Sequence, residues 1–126
     1  MRIIYFFTLL MISSLAKSQN LNCSDFKIGK FKIKSTNYEL PTSTVIRTEK
    51  TQKESGVEIK MEMEGTIKWK SECSYELIYT ENVPPEMAGK KITTEIIKVE
   101  GQKAICKSTC EGLEGFVLEF EMEKLN

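Results

Sequence analysis

From Val57 to Trp69 the chain alternates without a break: Val57, Ile59, Met61, Met63, Gly65, Ile67 and Trp69 take the odd positions, and Glu58, Lys60, Glu62, Glu64, Thr66 and Lys68 the even ones. A period of two is the signature of a strand with one buried and one solvated face. Gly65 stands on the apolar parity, where a missing side chain lets a long strand bend over a core. A hairpin turn at Glu64-Gly65 is the alternative, but an ordinary turn would not preserve the parity, so the pattern predicts a bend.

The same alternation recurs elsewhere. Lys70-Ser71-Glu72 reads as a short connection, after which Cys73, Tyr75, Leu77 and Tyr79 share one face, so Trp69 and Tyr75 flank a hairpin. Val83-Pro84-Pro85 ends that strand, because proline has no N–H to give to a ladder. Ile92 to Val99 returns as a β-branched strand whose apolar parity switches between Ile96 and Ile97, which predicts a bulge or a strand buried on both sides. Gly101 marks the next turn, Lys103–Lys107 a short strand, and Gly112 to Gly115 another turn. In the final strand, Phe116–Lys124, the residues Phe116, Leu118, Phe120 and Met122 face inward and Glu119, Glu121 and Glu123 outward. Near the start, Phe31 and Ile33 alternate with Lys30, Lys32 and Lys34; Thr44 to Thr48 and Thr51 to Glu54 read as weaker strands around Glu49-Lys50.

About eight short strands with single apolar faces and short turns describe an all-β, antiparallel up-and-down meander. A meander hides its edges by curling into a barrel or half-barrel, or by folding into a two-sheet sandwich. The lysine row of the first strand and the glutamate row of the last carry opposite charge on their outer faces, which suits cross-strand neighbours. The first and last strands are therefore expected to meet, with Phe31 and Ile33 inside beside Phe116, Leu118 and Phe120.

Arg2, the apolar run Ile3–Leu15 and the small residues Ser14, Ala16 and Ser18 read as a secretory signal peptide over residues 1–18. The run is shorter than the ~18 residues a spanning helix needs. Residues 19–126 then form a single β domain, expected to be exported to the periplasm or the exterior and not to span a membrane. Without Arg2 and Lys17, 16 of the 18 basic residues remain against 18 acidic ones, a formal charge of about −2. Lysine and glutamate alternate along the same segments, so no concentrated basic surface is available and nucleic acid is not an expected partner.

All four cysteines, Cys23, Cys73, Cys106 and Cys110, fall in the exported portion, where an even number favours disulfides. With no histidine and no paired short Cys spacings, a zinc site is not expected, and no cofactor motif is present. Of three possible pairings we expect Cys23–Cys73, tying the N-terminal segment to the central hairpin, and Cys106–Cys110, which straddle a few residues near a turn.

The pattern Cys23-x-x-Phe26-x-x-Gly29-x-Phe31, followed by Ile67-x-Trp69-x-x-x-Cys73-x-Tyr75-x-Leu77, resembles a family of small exported bacterial β-rich proteins without assigned function. Some members carry the name of a DNA topoisomerase IV subunit, which an exported domain this small with no basic patch does not fit. An early Gly-x-Phe before a meander is also similar in outline to lipocalin-like barrels, which carry Gly-x-Trp there. That resemblance implies a pocket for an apolar ligand, although a fold alone does not fix function.

Catalysis without histidine would fall to carboxylates, Cys, Tyr or Lys, and here the glutamates alternate with lysines on solvated strand faces. The chain is therefore not expected to be an enzyme. Its expected role is a non-catalytic exported β domain binding a small apolar ligand; the alternative is a structural or protein-interaction module of the cell envelope. Candidate lining residues are Phe31, Ile59, Met61, Met63, Trp69, Tyr75, Leu77, Tyr79, Phe116, Leu118 and Phe120, an aromatic and Met-rich set suited to a lipid-like guest. In a domain of this size the same residues are expected to fill a solid core ahead of lining a cavity, since a small sheet has little apolar surface to spare.

Overall fold

The computed structural model describes residues 22–56 and 59–126. The expected signal peptide, residues 1–18, lies outside them, as do Val57, Glu58 and the side chains of Ile59 and Lys60. Eight strands follow a short 3-10 turn at Ser24–Phe26: β1 (Gly29–Ser35), β2 (Ser43–Arg47), β3 (Thr51–Gly56), β4 (Ile59–Ser71), β5 (Ser74–Glu81), β6 (Lys91–Glu100), β7 (Lys103–Cys110) and β8 (Val117–Leu125). Each pairs antiparallel with the next, and β8 pairs back onto β1, which closes the sheet into a barrel. Closure leaves no sheet edge, which excludes the sandwich. Among the described residues no helix is long and apolar enough to cross a membrane.

Closure rests on the strands whose patterns matched. Phe31 lies opposite Val45 of β2 and Lys124 of β8, and Ile33 opposite Met122. Lys32 faces Glu123 and Lys34 faces Glu121, so the charged rows do meet. The ion pairs, however, run to the other neighbour: Lys103 of β7 reaches Glu121 at 3.1 Å and Lys107 reaches Glu119 at 3.5 Å.

Gly65 sits inside a continuous β4, as a bend requires. A Cβ there would stand 2.6 Å from the Ile78 carbonyl oxygen and 3.0 Å from the Tyr79 Cα, so the backbones of β4 and β5 approach closer than any side chain permits. The register shifts at the same place, Glu64 facing Glu81 and Gly65 facing Tyr79. The parity switch in β6 is likewise a bulge between Ile96 and Lys98, which turns Ile97 outward to 40 % exposure.

The barrel has two unlike ends. At one, where β1 begins and β2 ends, the Ser24–Phe26 turn folds across the opening and buries Phe26 against Phe31, ring centroids 6.0 Å apart. A disulfide from Cys23 to Cys73, Cα atoms 5.3 Å apart, fastens this plug to the β4–β5 hairpin. Around it pack Val45, Ile96, Ala104, Cys106, Phe120 and Met122. The other end carries the loops after β1, β3, β5 and β7, with Tyr38, Leu40, Leu113 and Phe116 exposed.

The expected Cys106–Cys110 bond is absent: both thiols are free. The strand expected to end at Lys107 instead runs on to Cys110, and the turn comes after it. Four residues of extended strand separate Cα atoms by about 13 Å, beyond disulfide reach. Burial pushes the Cys106 thiol up to about 12, so it is inert in the folded protein. Alkylation of the native protein is expected to modify the half-buried Cys110 and to leave Cys106 untouched until the barrel unfolds. Equal labelling of the two in native buffer, or of neither after unfolding, would contradict this arrangement.

Candidate ligand cavity

An interior cavity of about 170 Å³ lies between the plugged end and the loop that carries Met87. It is comparable with the ~150 Å³ cavities that accept benzene. Its mouth is apolar, formed by Ile33, Leu77, Met87, Ile92 and Leu118, with Met63 on the wall between. Its floor is polar, because β2 and β3 turn Arg47 and Gln52 inward, with Glu54 one inward position higher on the wall opposite Met63.

Arg47 is 2 % exposed and donates four hydrogen bonds. Nε reaches Gln52 Oε1 at 2.7 Å, Nη1 the Phe26 carbonyl at 3.0 Å and Met122 Sδ at 3.2 Å, and Nη2 the Tyr75 hydroxyl at 2.6 Å. The guanidinium also lies 4.4 Å over the Tyr75 ring and 5.4 Å from the Phe31 ring, so its cationic plane is held by aromatic faces. Through Phe26 the same side chain latches the plug. Gln52 Nε2 passes the chain on to the Tyr79 hydroxyl at 3.2 Å, and Tyr79 donates to Glu54. Thr94 and Ser108 share a bond across β6 and β7 on the facing wall.

Burial raises the Glu54 carboxyl above its ordinary range, against the opposing pull of Tyr79, Ser43 and Arg47. Both buried phenols are pushed upward by the same desolvation. The folded protein thus holds the Glu54 proton more tightly than the unfolded chain does. Glu54 favours folding below the unfolded carboxylate value of about 4.3, and that contribution is lost as pH rises through its raised native value. Relative to wild type, Glu54→Gln is expected to gain stability between pH 4 and 7, measured as the difference in urea midpoint. A wild type that gains on the variant over that interval would show the carboxylate to be the favoured form.

Of the sequence-derived lining set, Met63, Tyr75, Leu77, Tyr79, Leu118 and Phe120 do face the cavity. Phe31 is fully buried in the plugged end instead. Trp69 also belongs there, but only half-buried, 4.9 Å from Tyr75 with Lys27 Nζ at 5.3 Å, because it lies near the hairpin end of β4. Two residues leave the interior altogether. Met61 is 63 % exposed because β4 projects past the last paired residue of β5, and Phe116 precedes β8 and stacks on Tyr38 at 5.0 Å.

The polar floor escaped the pattern. β3, Thr51–Gly56, contains no large apolar residue, so nothing marks its inward face, and in β2 the adjacent Val45 and Ile46 leave the parity undecided. A charged residue sharing parity with Val45 was the one available signal for Arg47.

Comparison of the chain with models of known protein families, with curated proteins and with solved structures finds no match.

Proposed function

We propose that this chain is a non-catalytic, exported β-barrel that binds a small apolar ligand inside the barrel. The cavity of about 170 Å³ carries this reading: its apolar mouth leads to a few convergent polar groups, the usual anatomy of a small-molecule site. Those polar groups form one hydrogen-bonded chain along the inner wall, from Arg47 through Gln52 and Tyr79 to Glu54. Export is supported by the Cys23–Cys73 disulfide, which persists in oxidising compartments, together with the leader-like residues 1–18. Native mass spectrometry of protein purified from its own host is the test. A mass increment lost on unfolding is expected; a bare chain mass in every preparation would count against the reading.

The second reading, an interaction module of the cell envelope, draws on Tyr38, Leu40, Met61, Leu113 and Phe116, exposed apolar residues at the loop end. Cross-linking in the host that captures one envelope protein through this rim, with an empty barrel, would favour it.

A further inference from the structure

The cavity holds a buried cation with no countercharge in contact. Arg47 is 2 % exposed, and its four hydrogen bonds go to an amide oxygen, a carbonyl, a thioether and a phenol, all neutral. Guanidinium does not lose its proton in proteins, so the charge stays. Among the described residues no carboxylate lies within ion-pair distance of it; Glu54 is reached only through Gln52 and Tyr79. A buried charge whose direct contacts are all neutral, with Glu54 acting on it only at longer range, is costly, and an anion in the same low-dielectric space gains correspondingly.

The order of groups along the barrel axis adds direction. Arg47 ends β2 and Tyr75 lies near the start of β5, both toward the plugged end, whereas Ile92 and Leu118 lie near the starts of β6 and β8 and Met87 in the loop between β5 and β6. An amphiphile that entered head first would place its acceptor atoms deep and its carbon chain against the apolar mouth. Four of the five guanidinium N–H groups are used by the protein, which leaves one on Nη2.

We propose that the ligand is a small monoanionic amphiphile, a short-chain carboxylate in chemical class, whose head group pairs with Arg47 and whose tail lies along Met63, Leu77, Ile92 and Leu118. This rests on the cavity being a ligand site and adds the chemistry of its occupant. Glu54 lines the same space, and its upward-shifted carboxyl takes up a proton more readily beside a bound anion, which keeps it from opposing the head group.

Titration calorimetry with hexanoate, 1-hexanol and hexylamine, matched in chain and differing in head charge, tests the proposal. Hexanoate is expected to bind at least about tenfold more tightly than hexanol, corresponding to about 1.4 kcal/mol, and hexylammonium not measurably. Comparable affinity for all three would overturn the head-group assignment while leaving an apolar site. Binding of none would remove both that assignment and the cavity reading. Arg47→Met, similar in length and uncharged, is expected to erase the preference for hexanoate over hexanol. Retained preference in a folded variant would place the anion elsewhere, and if that variant does not fold, the three-probe series on the native protein decides alone.

Discussion

Phe31→Ala is expected to lower the unfolding free energy by about 3–5 kcal/mol, whereas Phe116→Ala, the same chemical change eighty-five residues on, costs less than about 1.5 kcal/mol. The contrast follows from placement. Phe31 is completely buried at the junction of three elements: its ring stacks on Phe26 of the plug, lies beneath the Arg47 guanidinium, and sits on β1 between β2 and β8. Truncation would open a void that a closed barrel cannot collapse to fill, since eight strands hydrogen-bonded in a ring resist local contraction. Phe116 is 36 % exposed and loses little beyond its contact with Tyr38. Urea unfolding of the two variants beside wild type provides the comparison. Similar midpoints for both would mean that Phe31 is not at the centre of the plugged end.

Where one strand face is apolar and the other charged, the sequence specified its own geometry: β1, β4, β5 and β8 obey period two, and closure followed from them. Parity also located the two irregularities, because a residue missing from one face, Gly65, or an extra one in the ladder, Ile97, disturbs a regular count visibly. Depth along the barrel axis leaves no such trace. Phe31, Tyr75, Met61 and Phe116 all fit inward parity, yet they end respectively in the plug, on the cavity floor, on a projecting strand and in a loop. The floor was hidden for a different reason. Polar side chains turned inward are indistinguishable from polar side chains turned outward unless apolar neighbours fix the register, and β3 has none. Cys106 and Cys110 show the complementary failure: their short spacing near a turn suggested a local bridge while the strand was taken to end at Lys107, and an unbroken β7 holds them apart.

Replacing both Cys23 and Cys73 by alanine is expected to cost about 2–4 kcal/mol, the range for a bond that closes a loop of this size, and to affect the plugged end first. The bond spans 50 residues and joins the segment before β1 to the β4–β5 hairpin, on the far side of the ring. In its absence the Ser24–Phe26 turn is held chiefly by Phe26 packing on Phe31 and by the Arg47 bond to the Phe26 carbonyl. Those contacts are local and can open without unpairing any strand, whereas the barrel ladder unfolds as a unit. Two consequences separate in experiment. Global stability, read from the denaturant midpoint, falls by the stated amount, and native-state hydrogen exchange at Phe26, whose amide bonds the Cys23 carbonyl at 3.0 Å, rises by more than the global change accounts for. Loss of the plug would also admit water to Arg47 from the closed side, so hexanoate affinity should fall in the same variant if the guanidinium is the head-group partner. An unchanged midpoint with both native thiols shown to be free by mass analysis would mean that the bond does not form in the folded protein, and the closed end would then need another fastening.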